Sequence, residues 1–203
     1  YLATIKSVDD NIGRVLDYLD KSDLDKNTII IYASDQGFFI GEHGWFDKRF
    51  MYEESIRMPF VIKYPGKIKP NTINDDIITN IDFAPTILEI AGIDPPGSVQ
   101  GNSFLKNLSE DENKNWRQSM YYQYYEYPFY HHVQPHYGIR NKRYKLIHFY
   151  YDIDIWEFYD LLEDPNELNN LFNSKNHQSI IADLKTELYN LKEGYGNNLS
   201  LDD

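Results

Sequence analysis

At 203 residues the chain has room for one domain or two small ones, at roughly 100–200 residues per domain. Its formal net charge is −12 with no Lys/Arg run to offset it, which excludes a general nucleic-acid or anionic-membrane binder. Its longest apolar runs, such as residues 28–33, fall far short of the ~20 residues of a membrane helix, and the absence of cysteine excludes disulfides and thiolate chemistry within it.

Leu2, Ile5, Val8, Ile12, Val15, Leu16 and Leu19 recur at three- and four-residue steps, the stripe of an amphipathic helix. A polar turn leads to Thr28-Ile29-Ile30-Ile31-Tyr32-Ala33, a β-branched run that predicts a strand buried on both faces. Helix followed by buried strand predicts a parallel α/β unit. Ser34-Asp35-Gln36-Gly37 then lies at the strand's carboxyl end, the ligand side of such a sheet. Residues 60–64, between Pro59 and Pro65-Gly66, predict a second strand. Residues 82–93 predict a helix with Asp82 as its cap, Pro85 in its first turn and Gly92 near its end.

The character changes at Pro95-Pro96-Gly97 and the polar stretch 109–115, where we place a boundary between domains 1–115 and 116–203. Beyond it the apolar period is mostly two. Residues 121–127, 137–140, 144–150 and 156–161 predict four short strands, the middle pair joined by Asn141-Lys142-Arg143. Ile180, Ile181, Leu184, Leu188 and Leu191 mark one face of a last helix. The expectation is a small antiparallel sheet with one covering helix. With 18 Tyr and 11 Phe, aromatics exceed what a small core needs, which favours amphipathic rings at wet surfaces where sugars stack.

Asp35 and Gln36 put a carboxylate and an amide oxygen side by side. Such oxygen donors suit a hard cation, Ca²⁺ or Mg²⁺; three residues alone more readily describe an Asx-type turn after a strand. The continuation Phe38-Phe39-Ile40-Gly41-Glu42-His43-Gly44-Trp45-Phe46-Asp47-Lys48-Arg49 adds glycines that allow close approach of a ligand and cations that suit an oxyanion. The second cluster, residues 121–138, carries His131, His132 and His136 among tyrosines. It reads either as a wall for sugar rings or as an aromatic sheet packed on the main domain.

Residues 34–49 resemble the second metal-binding segment of the type I, formylglycine-dependent sulfatases of the alkaline phosphatase superfamily. Residues 51–66, with Tyr52-Glu53-Glu54-Ser55, resemble the stretch that follows it, and residues 80–92 resemble the family's Asp-x-x-Pro-Thr-x-Leu helix. Residues 131–138, 138–147 and 159–167 resemble the family's C-terminal subdomain. The likeness runs in order along nearly the whole chain. It implies an α/β fold, the C-terminal portion of the alkaline-phosphatase-like sulfatase fold, with sheet strands and flanking helices followed by the small antiparallel sheet.

The resemblance implies that Asp35 and Gln36 ligate Ca²⁺ rather than Mg²⁺ and that Lys48 contacts a sulfate oxygen. Asp47 and Arg49 flank Lys48 and read as a clasp for sugar hydroxyls or as a local ion pair. His43 reads as a proton donor to a leaving oxygen or as a structural, pocket-lining residue. On the sulfatase pattern His131 and His136 line the substrate pocket. The implied reaction is sulfuric ester hydrolysis on a sulfated carbohydrate, with N-acetylglucosamine 6-sulfate as the expected unit and export as the expected localisation. The family's formylglycine arises in a Cys/Ser-x-Pro-x-Arg segment, which this sequence lacks. The chain is therefore expected to be the C-terminal part of a longer enzyme and inactive alone. The alternatives are a phosphonate or phosphate ester hydrolase of the same superfamily and a non-catalytic carbohydrate-binding module; oligomeric state is not legible.

Overall fold

A computed structural model describes residues 1–108 and 115–196. Helix α1 (Leu2–Lys21) is followed by strand β1 (Ile30–Ala33), a hairpin of two-residue strands β2 (Phe39–Ile40) and β3 (Phe46–Asp47), the one-turn helix α2 (Glu53–Ile56) and strand β4 (Phe60–Lys63). The strand expectations at 28–33 and 60–64 are met, but their arrangement differs from the parallel unit expected. β1 pairs with β4 antiparallel, Ile30 opposite Lys63 and Ala33 opposite Phe60. A parallel neighbour needs a crossover, usually a helix, whereas residues 34–59, between β1 and β4, hold the β2–β3 hairpin and the one-turn α2 and return the chain antiparallel.

Nor is β1 buried on both faces. Ile31 and Tyr32 are exposed, and α1 buries none of its apolar stripe; among the described residues β1 has one strand neighbour, β4. No helix among the described residues is long and apolar enough to cross a membrane.

The helix expected at 82–93 is a short 3-10 turn, Asn80–Asp82, running into α3 (Phe83–Ile90). Asp82 does not cap it from in front. Its carboxylate reaches back to accept from the Thr79 N–H at 2.8 Å, then takes the Asn102 N–H and both Nη groups of Arg117 at 2.5–2.8 Å. A fully buried carboxylate is tolerable only with such a set of partners. Gly92, at φ +72°, ends the helix in the left-handed region that favours glycine.

The second region follows the expectation closely. Strands β5 (Ser119–Tyr124), β6 (His136–Asn141), β7 (Tyr144–Phe149) and β8 (Ile155–Asp160) form one antiparallel meander in that order. Helix α4 (Gln178–Gly194) covers it. Ile139, Leu146, Phe158 and Leu188 are completely buried between sheet and helix, with Tyr137, Ile181 and Leu184; each such side chain is worth ~1.5–3 kcal/mol. The expected boundary at 109–115 falls almost wholly outside the described residues.

Several interactions tie the regions together, the Arg117–Asp82 pair among them, and two more lie side by side. Met51, Phe50, Tyr52 and Ile56 from the first pack on Ile147, Phe149 and Tyr159 of the sheet. Beside them Lys145, on β7 and completely buried, lies 3.0 Å from Glu53 and 2.7 Å from Glu167. These are close ion pairs rather than well-directed hydrogen bonds. Glu53 also pairs with Arg140 at 3.2 Å. Burial raises the Glu53 carboxyl, but Lys145 and Arg140 outweigh it and leave it below the usual range. Burial holds Glu167 above its usual range. Removing one member of such a cluster costs more than the cluster contributes, because it strands the others' charge.

Candidate active site

Every candidate residue of the first region hangs on the loop between β1 and α2. Asp35 and Gln36 follow β1 directly and line a cavity of about 470 Å³ with Arg117, Tyr121 and Tyr122. Asp35 makes no hydrogen bond or ion pair among the described residues. Gln36 is fixed: its amide nitrogen donates to the Ser55 carbonyl at 2.7 Å and to Ser55 Oγ at 2.9 Å. Gly37 donates to the same carbonyl at 2.8 Å. A Cβ at Gly37 would stand 2.0 Å from the Glu54 carbonyl oxygen, so this approach of loop to helix requires glycine.

The hairpin β2–β3 delivers Asp47 and Lys48. Asp47 and Arg49 have φ of +98° and +118°, backbone that side-chain-bearing residues rarely adopt and that clusters at functional sites. Arg49 closes on Asp47 through Nη1, and its Nη2 is 2.7 Å from His131 Nε2. The other His131 nitrogen is 3.5 Å from the Asp47 carboxylate. The clasp is thus built from both regions. Lys48, between its two strained members, spends its ammonium on no ion pair among the described residues.

His43 and His136 sit elsewhere. His43, at φ +54°, stacks on Tyr52 with centroids 4.3 Å apart and its Nε2 is 3.5 Å from Glu54. Among the described residues no hydrogen bond or ring contact joins it to Asp35, Gln36 or Lys48. His136 is completely buried, so it offers no surface to a pocket, contrary to the expectation. Its ring lies among Phe50, Tyr122, Tyr124 and Phe149, and Nδ1 meets the Gln134 carbonyl at 2.8 Å. The physical reason is that β6 is covered on both faces: Tyr137 and Ile139 lie under α4, and His136, on the other face, lies under Phe50 of the first region. Burial holds its pKa down to about 4, against a smaller opposing pull from the Gln134 and Arg49 backbones.

The sequence marks the aromatic cluster without sorting its members. Tyr122 is structural, its hydroxyl donating to the Arg49 carbonyl at 2.6 Å, and burial pushes its pKa up to about 12. Tyr125, Phe129 and Tyr130 are widely exposed on the loop that carries His131. Tyr122 is hidden in the sequence by its sameness to the tyrosines around it. Ser55 stands inside a motif of the resemblance, but nothing local marks which serine a distant amide will find.

The family model described as N-sulphoglucosamine sulphohydrolase, C-terminal, matches residues 41–194. The chain belongs to this sulfatase family. An N-acetylglucosamine-6-O-sulfatase of Bacteroides thetaiotaomicron is 52% identical over 201 residues, which is 98% of this chain and 36% of that protein. An arylsulfatase of Clostridium perfringens is 37% identical, over 98% of this chain and 42% of that protein. A solved structure of a protein in complex with its substrate, D-glucosamine-2-N,6-O-disulfate, matches all of this chain and 42% of its own at 49% identity and a TM-score of 0.95. The fold is therefore that of the C-terminal portion of a sulfatase, and this chain spans well under half the length of these relatives.

Proposed function

We propose that the chain is the C-terminal part of a sulfuric ester hydrolase that removes sulfate from a glucosamine-type sugar. One observation carries the reading. Lys48 stands between Asp47 and Arg49, strained residues that close on His131, in a chain overlaying at a TM-score of 0.95 a structure that holds a disulfated glucosamine. The Lys48 ammonium neutralises charge that grows on the sulfuryl oxygens as the S–O bond breaks. The Arg49 guanidinium and Asp47 carboxylate offer a donor and an acceptor to neighbouring hydroxyls. Tyr125, Phe129 and Tyr130 offer exposed ring faces to a pyranose. His43, packed on Tyr52 and facing Glu54, shapes the loop.

The residues present fit Ca²⁺. Asp35 has a carboxylate with no other partner among the described residues, and Gln36, its nitrogen turned to Ser55, keeps an oxygen to give; hard oxygen donors are what this ion takes. Among the described residues no three His, Cys, Asp or Glu side chains gather into a metal site; on this reading Asp35 and Gln36 supply part of a ligand set. A cation there orients and polarises the sulfate. The formylglycine nucleophile belongs, on this reading, to sequence outside these residues.

The test is sulfate release from a panel of sulfated monosaccharides, glucosamine 6-sulfate included, by the full-length protein with Ca²⁺. Release from glucosamine sulfates supports the proposal, and none from any sugar ends it. The encoding sequence ahead of Tyr1 should contain Cys/Ser-x-Pro-x-Arg.

A further inference from the structure

We infer that Ser55 is a positioning residue that holds the cation-binding end of β1 and the sugar-binding clasp in one geometry; this rests on the functional reading above. Ser55 is completely buried and sits within α2 with four hydrogen bonds from outside its helix. Its carbonyl accepts from the Gly37 N–H at 2.8 Å and from Gln36 Nε2 at 2.7 Å. Its Oγ accepts from Gln36 Nε2 at 2.9 Å and from the Arg49 N–H at 3.2 Å. The two arms end on residues of different function.

On the Gln36 arm, the carbonyl and hydroxyl of Ser55 together present two acceptors to one end of the side-chain amide. A primary amide has a donor end and an acceptor end of nearly the same shape, and only the acceptor end can bind a cation. The carbonyl, which can only accept, selects the orientation in which nitrogen faces Ser55 and Oε1 is left over, and the hydroxyl, accepting from the same nitrogen, adds a second hold on it. Without the hydroxyl, one acceptor remains and the amide turns more freely. On the Arg49 arm, the hydroxyl anchors the N–H of a residue at φ +118°, a conformation that persists only when its surroundings hold it. The Tyr122 hydroxyl holds the carbonyl of the same residue. Arg49 is therefore gripped from α2 on one side and from β5 on the other. Gly37, with no room for a Cβ, lets the Asp35–Gln36 turn reach Ser55 at all.

The experiment uses the full-length protein, with Ser55→Ala, Ser55→Cys, Ser55→Thr, Gln36→Ala and the double variant Ser55→Ala/Gln36→Ala. Three quantities are read: Ca²⁺ affinity by calorimetric titration, KM and kcat on a glucosamine sulfate, and thermal unfolding. Ser55→Ala should weaken Ca²⁺ about 10–100-fold, the range found when a group that orients a metal ligand is lost. It should also raise KM. Ser55→Thr keeps the hydroxyl and should restore Ca²⁺ affinity, while Ser55→Cys, with a poor acceptor, should fall between. In the Gln36→Ala background, Ser55→Ala should leave Ca²⁺ affinity unchanged yet still raise KM through Arg49. A folded Ser55→Ala protein with wild-type Ca²⁺ affinity and KM overturns the inference and leaves the functional reading standing. If Ser55→Ala does not fold, wild-type values in Ser55→Cys overturn it in the same way. A wild-type protein that binds no Ca²⁺ and releases no sulfate overturns both.

Discussion

The two regions of this chain differ in how they are held. Residues 115–196 contain their own core: Ile139, Leu146, Phe158 and Leu188 have no exposed surface, and one helix closes the sheet. Residues 1–108 leave Leu2, Val8, Val15, Ile31 and Tyr32 exposed, and α1 buries nothing. Yet the candidate chemistry, Asp35, Gln36 and Lys48, lies on the region with the weaker core. The self-contained sheet thus serves as the anvil for a loop that cannot hold itself. It does so through the Lys145 cluster, the Phe50–Ile56 packing and the Tyr122 and His131 contacts to Arg49.

The widest separation of the two regions is expected when each is expressed alone. Residues 115–196 should unfold in urea as one cooperative transition and residues 1–108 should show none; a cooperative transition in 1–108 would break the comparison. Next in size, Lys145→Met in the full-length protein should lower stability by about 3–5 kcal/mol, since Glu53 and Glu167 lose their buried partner. Urea midpoints read this, and a loss confined to catalysis would show that the cluster positions without stabilising. Lys48→Ala should cost about 3–4 kcal/mol of transition-state stabilisation, a 10²–10³-fold drop in kcat, with stability unchanged. A near-normal rate removes Lys48 from the mechanism.

The smallest effect is the pH response of His136. Its folded pKa of about 4 lies below the ordinary histidine value of 6.5. Between those values the unfolded chain binds the proton and the folded one does not. The stabilisation of the neutral ring is thus complete above about 6.5 and lost progressively as pH falls toward 4, up to ~3 kcal/mol in all. His136→Phe should flatten unfolding midpoints across that window. A variant whose pH dependence matches wild type would show that the ring under the clasp is not the titrating group.

Much of this architecture is legible in the sequence. Mostly period-two apolar runs locate all four strands of the sheet although both of its faces are covered, and the stripe from Ile180 to Leu191 locates α4, because a helix buried on one face writes its period into the chain. The likeness of residues 34–49 to a sulfatase segment singles out Asp35, Gln36 and Lys48 as one site. The direction of β4 is not legible, since an apolar run records burial and not the sense of its neighbour. His136 misleads because a histidine beside His131 and His132 looks like a ligand until the first region, through Phe50, packs over its face of the sheet.

The sequence by itself determined the longer elements, the family and the residue types at the candidate site, for these depend on local periodicity and on chemical identity at fixed spacing. The tertiary structure alone decided which partners those residues have. It joined Gln36 to Ser55 across 19 positions and Arg49 to His131 across 82. It buried Lys145 between two glutamates. Contacts of that kind are set by how the regions pack, and no local pattern along the chain records them.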